Sequence, residues 1–167
     1  MSSLIKPKIE KLNASHATAD FACGQPALDR FVQTFALINQ RTGSAQTYAA
    51  VIGGKVIGFY SLTVGHIEQA DAPTRMTKGL PRHPVPVMIL ARLAIDQRHQ
   101  SKGLGSGLLK DALLRTLQAA DIAGIRAMLV HAKDQPAKAF YEHFGFTAFD
   151  QDGMTLYRLI KDIRKSR

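Results

Sequence analysis

Cysteine is almost absent from this chain of 167 residues, in which Cys23 is the only example. A single thiol cannot close an intramolecular disulfide, and it cannot form a metal site built from several cysteines. Low cysteine usage suits a reducing compartment, so we expect an intracellular protein. No activating partner is evident near Cys23 in the sequence, and we expect it to be a small buried residue.

Long apolar runs are also missing from the sequence. The longest lies at residues 85–91, contains Pro86 and is far shorter than the roughly 20 residues of a membrane-spanning helix. Residues 1–7 lack the apolar core of a secretory signal. We therefore expect a cytoplasmic protein that does not engage a membrane.

Acidic residues are scarce, because 13 Asp and Glu oppose 22 Lys and Arg and leave a formal charge of +9. Such a surplus favours an anionic partner, such as nucleic acid, an anionic membrane surface or a phosphorylated small molecule. Solubility alone is the alternative explanation of the charge. With 46% apolar residues the chain can bury a core, and its length suits a single domain over residues 1–167.

Apolar periodicity predicts alternating strands and helices, and hence a mixed α/β fold. A polar loop rich in proline and basic residues is predicted at 65–86, and a basic tail at 161–167. Loops of this length are usually mobile or functional. Strands are predicted at 5–12, 47–52, 56–64, 87–95, 125–131, 146–149 and 154–160, and helices at 26–41, 103–121 and 134–143.

The connection between the strand at 87–95 and the next helix has the composition of a ligand-binding turn. It contains Gln100, Gly103 and Gly105. The first amides of a helix lack intrahelical acceptors, and the helix dipole adds positive potential there. Glycines let a phosphate approach the backbone, so this turn suits a pyrophosphate. The spacing excludes the P-loop and the G-x-G-x-x-G loop. A tight connection between core elements is the alternative reading.

Other catalytic patterns are missing. The six histidines show neither H-x-x-x-H nor H-E-x-x-H spacing, so we expect no metal. Ser106 does not lie in the G-x-S-x-G turn of serine hydrolases, which disfavours that chemistry.

Two motifs lie about 35 residues apart in the order typical of one enzyme superfamily. The first is Gln100-x-x-Gly103-x-Gly105 on a strand, turn and helix, and the second is A-x-x-F-Y-x-x-x-G-F around Tyr141. Together they resemble the GNAT superfamily of N-acetyltransferases. The resemblance implies the GNAT fold, an α/β (α+β) architecture with a single mixed, mostly antiparallel central sheet. It also implies helices on both faces and a splayed strand pair that takes acetyl-CoA.

Shorter pieces add a narrower resemblance. They are Phe21-x-Cys23-Gly24-x-x-x-Leu28-Asp29-x-Phe31, Thr47-Tyr48, Ile57-Gly58-Phe59-Tyr60-Ser61 and Ala91-Arg92-Leu93-Ala94-Ile95. These are similar to the GNAT toxins of bacterial type II toxin–antitoxin systems, which acetylate the α-amino group of aminoacyl-tRNA and inhibit translation. The resemblance implies the same reaction here, a ribbon–helix–helix antitoxin as partner, and a homodimer.

The superfamily resemblance also implies which residues hold acetyl-CoA. The backbone of Leu93 and Ile95 would bind the pantetheine arm and orient the thioester. Many members place an asparagine near the start of the last helix, where this chain has Lys133-Asp134-Gln135. The pyrophosphate would be held by the backbone amides of Gln100, Ser101, Lys102, Gly103, Leu104, Gly105 and Ser106.

Tyr141 in the second motif is the candidate general acid. The departing thiol has a pKa of about 8.5 and an ordinary phenol one of about 10. The phenol can give its proton to the sulfur and regain one from solvent. The alternative role of Tyr141 is packing between Phe140 and Phe144.

The general base is not identified by the sequence. An ordinary α-amino group has a pKa of about 7.7–8.0, so a useful fraction of the amine is already neutral at the pH of a cell. His66 and Glu68 in the polar loop are therefore either helpers or solvated loop residues.

Basic side chains mark two candidate surfaces for nucleic acid. One is a patch near the C-terminus that is opposed only by Asp162, and a solvated face is its alternative interpretation; it consists of Arg158, Lys161, Arg164, Lys165 and Arg167. Contacts to tRNA are predicted for Arg75, Lys78, Arg82 and Arg92.

Two rival functions remain from the sequence. One is a GNAT enzyme acting on a small-molecule amine or a protein N-terminus, although the basic loop disfavours a cationic metabolite. The other is a non-catalytic GNAT-like module that binds RNA or a partner, although the intact motifs disfavour it.

Overall fold

Strands and helices alternate along the chain, as the apolar periodicity predicts. Two short 3-10 turns (Gln69–Asp71 and Gln97–His99) complete the pattern. The elements are β1 (Lys8–Lys11), α1 (Pro26–Arg30), a π-helical turn (Phe31–Phe35), α2 (Ala36–Thr42), β2 (Gln46–Ile52), β3 (Lys55–Ile67), α3 (Thr74–Thr77), β4 (Val85–Ile95), α4 (Leu104–Ala120), β5 (Ala127–His131), α5 (Gln135–His143), β6 (Thr147–Ala148), β7 (Thr155–Leu159) and α6 (Ile160–Lys165).

Within residues 6–166, seven strands form one mixed sheet in the order β1-β2-β3-β4-β5-β7-β6, which confirms the predicted fold class. This computed structural model describes residues 6–166, so the predicted ends of the first strand at Ile5 and of the tail at Arg167 lie outside the described residues. The chain forms two compact units. Within the described residues, the first unit contains 6–63 with 92–112, and the second contains 64–91 with 113–166. The single domain stays a prediction.

The first unit is built on a β-hairpin. β2 and β3 run antiparallel, with Ala49 opposite Phe59, and β1 pairs with β2 in the same antiparallel sense. Gly53 and Gly54 in the turn have φ values of 56° and 79°, the left-handed conformation that a type I′ turn requires at both central positions. The two glycines therefore determine this hairpin locally.

The core of the first unit is aromatic. The rings of Phe21 and Phe31 lie 5.4 Å and 6.0 Å from that of Phe59, centroid to centroid. Fully burying a Phe side chain contributes about 1.5–3 kcal/mol to stability, so these three rings anchor the hairpin to the first helix. The helix predicted at 26–41 is confirmed, with a π-helical interruption that periodicity did not reveal.

The second unit has β5 between β4 and β7. β5 runs parallel to β4 and antiparallel to β7. The pairing of β4 with β5 runs from Val87 opposite Ala127 to Leu90 opposite Val130, whereas β4 itself continues to Ile95. The last residues of β4 therefore extend beyond the parallel pair.

The predicted loop at 65–86 is more ordered than its composition indicates, and that prediction was wrong in part. β3 extends to Ile67, and α3 forms a short helix whose Met76 is fully buried. Met76 and Leu80 pack in one apolar cluster with Leu129 of β5. These apolar residues are too widely spaced to produce a periodic signal, so only tertiary packing reveals their role.

The predicted tail also differs from expectation, because it forms α6 and buries Ile160 and Ile163. A helix this short carries too few residues for a recognisable periodic pattern. Among residues 6–166, no helix combines the length and apolar character that crossing a membrane requires.

Candidate functional site

The connection between β4 and α4, here named the cofactor turn (residues 96–106), is organised by a buried carboxylate. Asp96 is 1% exposed and accepts hydrogen bonds from the backbone amides of Arg98 (2.9 Å) and Ala22 (3.1 Å). The Arg98 guanidinium donates a further bond from Nε at 3.0 Å. Chiefly through these Arg98 hydrogen bonds, the pKa of Asp96 falls to about 2 from its ordinary 3.8. Asp96 therefore stays ionised and ties the end of β4 to the segment before α1.

The side chain of Gln100 makes a second tie in the cofactor turn. Its Nε2 donates to the carbonyl oxygens of Ile95 (2.9 Å) and Cys23 (3.2 Å). The sequence pattern indicated only a backbone role for Gln100, and neither this tie nor that of Asp96 was predicted. Asp96 is a polar residue immediately after β4, which is the signal that could have identified it, whereas Gln100 lies five residues beyond the end of that strand.

The backbone of the cofactor turn is left-handed at two positions. Ser101 has a φ of 65° and Gly103 one of 81°. A residue with a Cβ adopts this conformation at a cost of about 1–2 kcal/mol, and such strain is concentrated at ligand sites. A Cβ at Gly103 would meet no atom within 4 Å, so glycine is needed here for its positive φ and not to avoid a steric clash. The turn leads the chain directly into the first turn of α4 at Leu104, where helix amides lack intrahelical acceptors.

The end of β4 packs closely in the first unit. A Cβ at Gly58 of β3 would lie 3.0 Å from Leu108 Cδ1 and 3.2 Å from both Ile95 Cδ1 and Leu104 Cδ2. Gly58 thus lets the end of β4 and the start of α4 approach β3. Leu93 and Ile95 are half-buried there.

Arg92 is a half-buried charged residue in β4. Its guanidinium carbon lies 3.7 Å above the centre of the Phe31 ring, which is a cation–π contact. Arg92 is half-buried, and burial lowers the pKa of its guanidinium. Within residues 6–166, Arg92 forms no ion pair with a carboxylate. A partly desolvated cation of this kind suits an anionic ligand.

The segment between β3 and β4, here named the basic loop (residues 68–84), is held by Arg126. The Arg126 guanidinium donates from Nε to the carbonyl of Met76 and from Nη2 to that of Lys78, both at 2.9 Å. The backbone amide of Arg126 also donates to Pro86 at 2.8 Å. Arg126 was not singled out by sequence, because nothing local connects it to a loop that lies far away in the chain.

A second contact holds the basic loop from the end of the chain. Arg75 donates to Asp162 of α6 at 3.1 Å. Arg75, Lys78 and Arg82 are all exposed, so their charges face solvent apart from this one ion pair.

Tyr141 lies in α5, whose first turn is capped by Asp134, as predicted from the sequence, through a 2.9 Å bond from the amide of Ala137. The Tyr141 residue is 9% exposed, and its ring meets those of Phe140 and Phe146 at 5.3 Å and 5.7 Å. Burial raises the pKa of the Tyr141 hydroxyl to about 12. No hydrogen bond to this hydroxyl is formed within the described part of the chain.

The remaining candidate groups are not assembled for catalysis. His66 and Glu68 are exposed at the end of β3. Cys23 is half-buried, and burial raises the pKa of its thiol, so it is not an activated nucleophile. Across residues 6–166, no three His, Cys, Asp or Glu side chains come together as a metal site.

The predicted site residues are divided between the two units. The first unit contains Arg92 and the residues proposed for acetyl-CoA, from Leu93 to Ser106. The second unit contains Arg75, Lys78, Arg82 and Tyr141.

Comparison with known proteins identifies the same enzyme class as the motifs. The model of the GNAT acetyltransferase domain matches residues 43–148. A tRNA-acetylating toxin of Mycobacterium tuberculosis is 42% identical over 164 residues, which cover 98% of this chain and 97% of the toxin.

Solved structures of toxins share the fold over almost their whole length. A tyrosine-to-phenylalanine mutant of KacT superposes with a TM-score of 0.89 at 26% identity, covering 97% of this chain and 99% of KacT. AtaT complexed with acetyl-methionyl-tRNAfMet gives 0.88 at 28% identity, covering 95% and 98%. A mutant AtaT bound to acetyl-CoA and to the C-terminus of the antitoxin AtaR gives 0.81 at 27% identity, covering 95% and 96%.

Proposed function

This chain belongs to the GNAT acetyltransferase family, and on that premise we propose that it transfers the acetyl group of acetyl-CoA to the α-amino group of aminoacyl-tRNA and thereby inhibits translation. The observation that carries the proposal is the similarity, from end to end, to a tRNA-acetylating toxin. A structural neighbour that contains acetylated methionyl-tRNA supports the same substrate.

Acetyl-CoA is held by the end of β4 and by the cofactor turn. The backbone of Leu93 and Ile95 binds the pantetheine arm, and the end of the β4–β5 pairing at Leu90 supports this role. The amides of residues 100–106 hold the pyrophosphate. The left-handed backbone at Ser101 and Gly103 supports that assignment, because it directs the chain into the first turn of α4.

Tyr141 serves the departing sulfur. With a pKa of about 12 its hydroxyl is protonated at every physiological pH, so it always presents a donor. A thiol with a pKa of about 8.5 is the stronger acid. Tyr141 therefore donates a hydrogen bond that stabilises negative charge on the sulfur. Solvent then supplies a proton to the coenzyme A thiolate or, if the tyrosine has given up its own, to the Tyr141 hydroxyl.

The acceptor tRNA is recognised through phosphate. Arg92 contributes a half-buried cation whose guanidinium carbon lies 3.7 Å from the centre of the Phe31 ring. Arg75, Lys78 and Arg82 contribute exposed charges on the basic loop. Since each phosphate contact releases counterions, binding of tRNA should weaken steeply between 50 mM and 200 mM salt.

The family resemblance supports the finer parts of the proposal. The protein acts in the cytoplasm as a homodimer, its residues 1–167 form a single domain, and its partner is a ribbon–helix–helix antitoxin. The AtaT structure with the C-terminus of AtaR supports an antitoxin as partner, and the ribbon–helix–helix type rests on the family resemblance alone.

The decisive experiment offers labelled acetyl-CoA and four acceptors: aminoacyl-tRNA, the same tRNA deacylated, a polyamine and a peptide with a free N-terminus. We expect label only on the aminoacyl-tRNA. Label on the polyamine or the peptide instead would assign a different GNAT substrate. Tight binding of tRNA without any label or release of free coenzyme A would identify a non-catalytic module.

A further inference from the structure

A chain of three side chains joins β5 to β7 in the second unit. His131 ends β5 and lies opposite Thr155, the first residue of β7. His131 Nδ1 lies 2.9 Å from Thr155 Oγ1, and Thr155 Oγ1 donates to Asp152 Oδ2 at 2.6 Å. Thr155 is buried, whereas His131 and Asp152 are exposed.

The hydrogens of this chain determine the tautomer of His131. The hydrogen bond from Thr155 lowers the pKa of Asp152, so the carboxylate is ionised and can only accept. A threonine hydroxyl has one hydrogen, which goes to Asp152. Thr155 Oγ1 must then accept from His131, so in the neutral imidazole the hydrogen is on Nδ1 and the lone pair is on Nε2.

His131 also has a defined place on the sheet. It follows Val130, the last β5 residue paired with β4. Because side chains alternate along a strand, His131 shares a face with Leu129. Leu129 packs in the apolar cluster that includes Met76 of the basic loop. The exposed imidazole therefore lies on the face of β5 that the basic loop covers.

We propose that His131 is the general base that accepts a proton from the attacking α-amino group of the aminoacyl-tRNA, with Thr155 and Asp152 as positioning residues. The inference rests on the proposed function and deepens it. It places the base on the same face as the loop assigned to the acceptor, and it replaces His66 and Glu68 in that role.

The protons balance as follows. The α-amine attacks the thioester carbonyl in its neutral form, and His131 Nε2 takes the proton that the nitrogen loses as it becomes an amide. The new C–N bond forms as the C–S bond breaks, and the coenzyme A sulfur gains one proton. The proton that His131 takes passes to solvent and balances the proton that the sulfur gains, so transfer from the neutral amine releases no net proton.

The variant His131→Asn distinguishes a catalytic base from a residue that only links β5 to β7. His131→Asn places an N–H near the Nδ1 position and keeps a donor to Thr155, but it has no basic nitrogen. Loss of a general base costs about 10²–10⁴-fold in rate. We therefore expect His131→Asn to lower single-turnover acetyl transfer to aminoacyl-tRNA at least about 10²-fold, with unchanged melting temperature and acetyl-CoA affinity.

Two further variants complete the test. Added imidazole should restore part of the activity of His131→Ala, which a purely structural residue would not allow. Thr155→Val should lower the rate about 10-fold because the tautomer is no longer set, while Thr155→Ser keeps the hydroxyl and the rate.

The outcomes are distinguishable. If the wild-type protein acetylates aminoacyl-tRNA and His131→Asn stays within threefold of it, the base assignment fails and the proposed function stands. Unfolding of both His131 variants would give His131 a structural role and overturn the assignment. An inactive wild-type protein would overturn both proposals.

Discussion

The cofactor turn and the basic loop are held in place by different means. The cofactor turn is cross-linked by Asp96 and Gln100, which lie within it. The basic loop depends on Arg126, 48 residues from its contact at Lys78, and on Asp162, 87 residues from Arg75. A turn that carries its own supports is recognisable from a local motif. A loop supported from a distance is not, and its geometry should respond to substitutions far away in sequence.

The largest effect is expected at Tyr141, which holds neither the cofactor turn nor the basic loop in place. Tyr141→Phe keeps the ring contacts with Phe140 and Phe146 but removes the hydroxyl. We expect acetyl transfer to fall about 10²–10³-fold, since a positioned donor contributes 10²-fold or more. Single-turnover rates with saturating acetyl-CoA and aminoacyl-tRNA measure this change.

A matched control is Tyr157→Phe, which removes a hydroxyl from another buried tyrosine of the second unit. Its activity should stay close to wild type. Equal losses in the two variants would show that the rate responds to packing in this unit and not to the Tyr141 hydroxyl.

The next effect tests the cofactor turn. Asp96→Asn places an amide where the backbone N–H groups of Ala22 and Arg98 need an acceptor. Leaving buried donors unsatisfied costs about 1–3 kcal/mol each, so we expect the free energy of unfolding in urea to drop by about 2 kcal/mol. Affinity for acetyl-CoA should fall with it, while affinity for tRNA remains. The same substitution at exposed Asp150 should change neither quantity.

The Asp96 effect should also depend on pH in a defined direction. The folded-state pKa of about 2 lies below the ordinary 3.8, so the ionised carboxylate contributes its full stability above about pH 4. That contribution is lost as the pH falls from 3.8 toward 2. The stability difference between wild type and Asp96→Asn should therefore shrink over this interval. A constant difference would mean that ionisation of Asp96 is not the source.

The smallest effect tests the basic loop. Arg126→Met keeps much of the side-chain volume but removes the two bonds to the carbonyls of Met76 and Lys78. We expect KM for aminoacyl-tRNA to rise about 3–10-fold, with KM for acetyl-CoA and kcat unchanged, because only the loop charges are displaced. Initial rates at varied tRNA concentration give this value.

Two controls bracket that result. Arg41→Met removes an exposed charge from α2 in the first unit, so it tests the loss of one positive charge alone. Asp162→Asn removes the half-buried carboxylate that pairs with Arg75 and also attracts Arg158, and such a pair near the surface is worth about 1 kcal/mol at most. If Arg41→Met raises KM as much as Arg126→Met does, the loop contacts are not responsible.

The sequence predicted the features that depend on interactions between neighbouring residues and missed those that depend on contacts between distant parts of the chain. Gly53-Gly54 and the Asp134 cap act on neighbouring residues, so the hairpin and the start of α5 were predictable. The ordered parts of 65–86 and the helix α6 were missed because Met76 and Ile163 are stabilised by packing against other parts of the chain. His131 was passed over as a candidate base because its link to Thr155 exists only once β5 and β7 pair.

The sequence by itself determined the class of this protein. Gln100, Gly103, Gly105 and the motif around Tyr141 lie on local elements, and their spacing along the chain is enough to indicate a GNAT acetyltransferase. Tertiary structure alone decided how the charges and protons are arranged. The stacking of Arg92 on Phe31, the hold of Arg126 on the basic loop and the tautomer of His131 all depend on groups that folding brings together. Hydrogen bonds and ring contacts act over a few ångströms in space, whatever the separation in sequence.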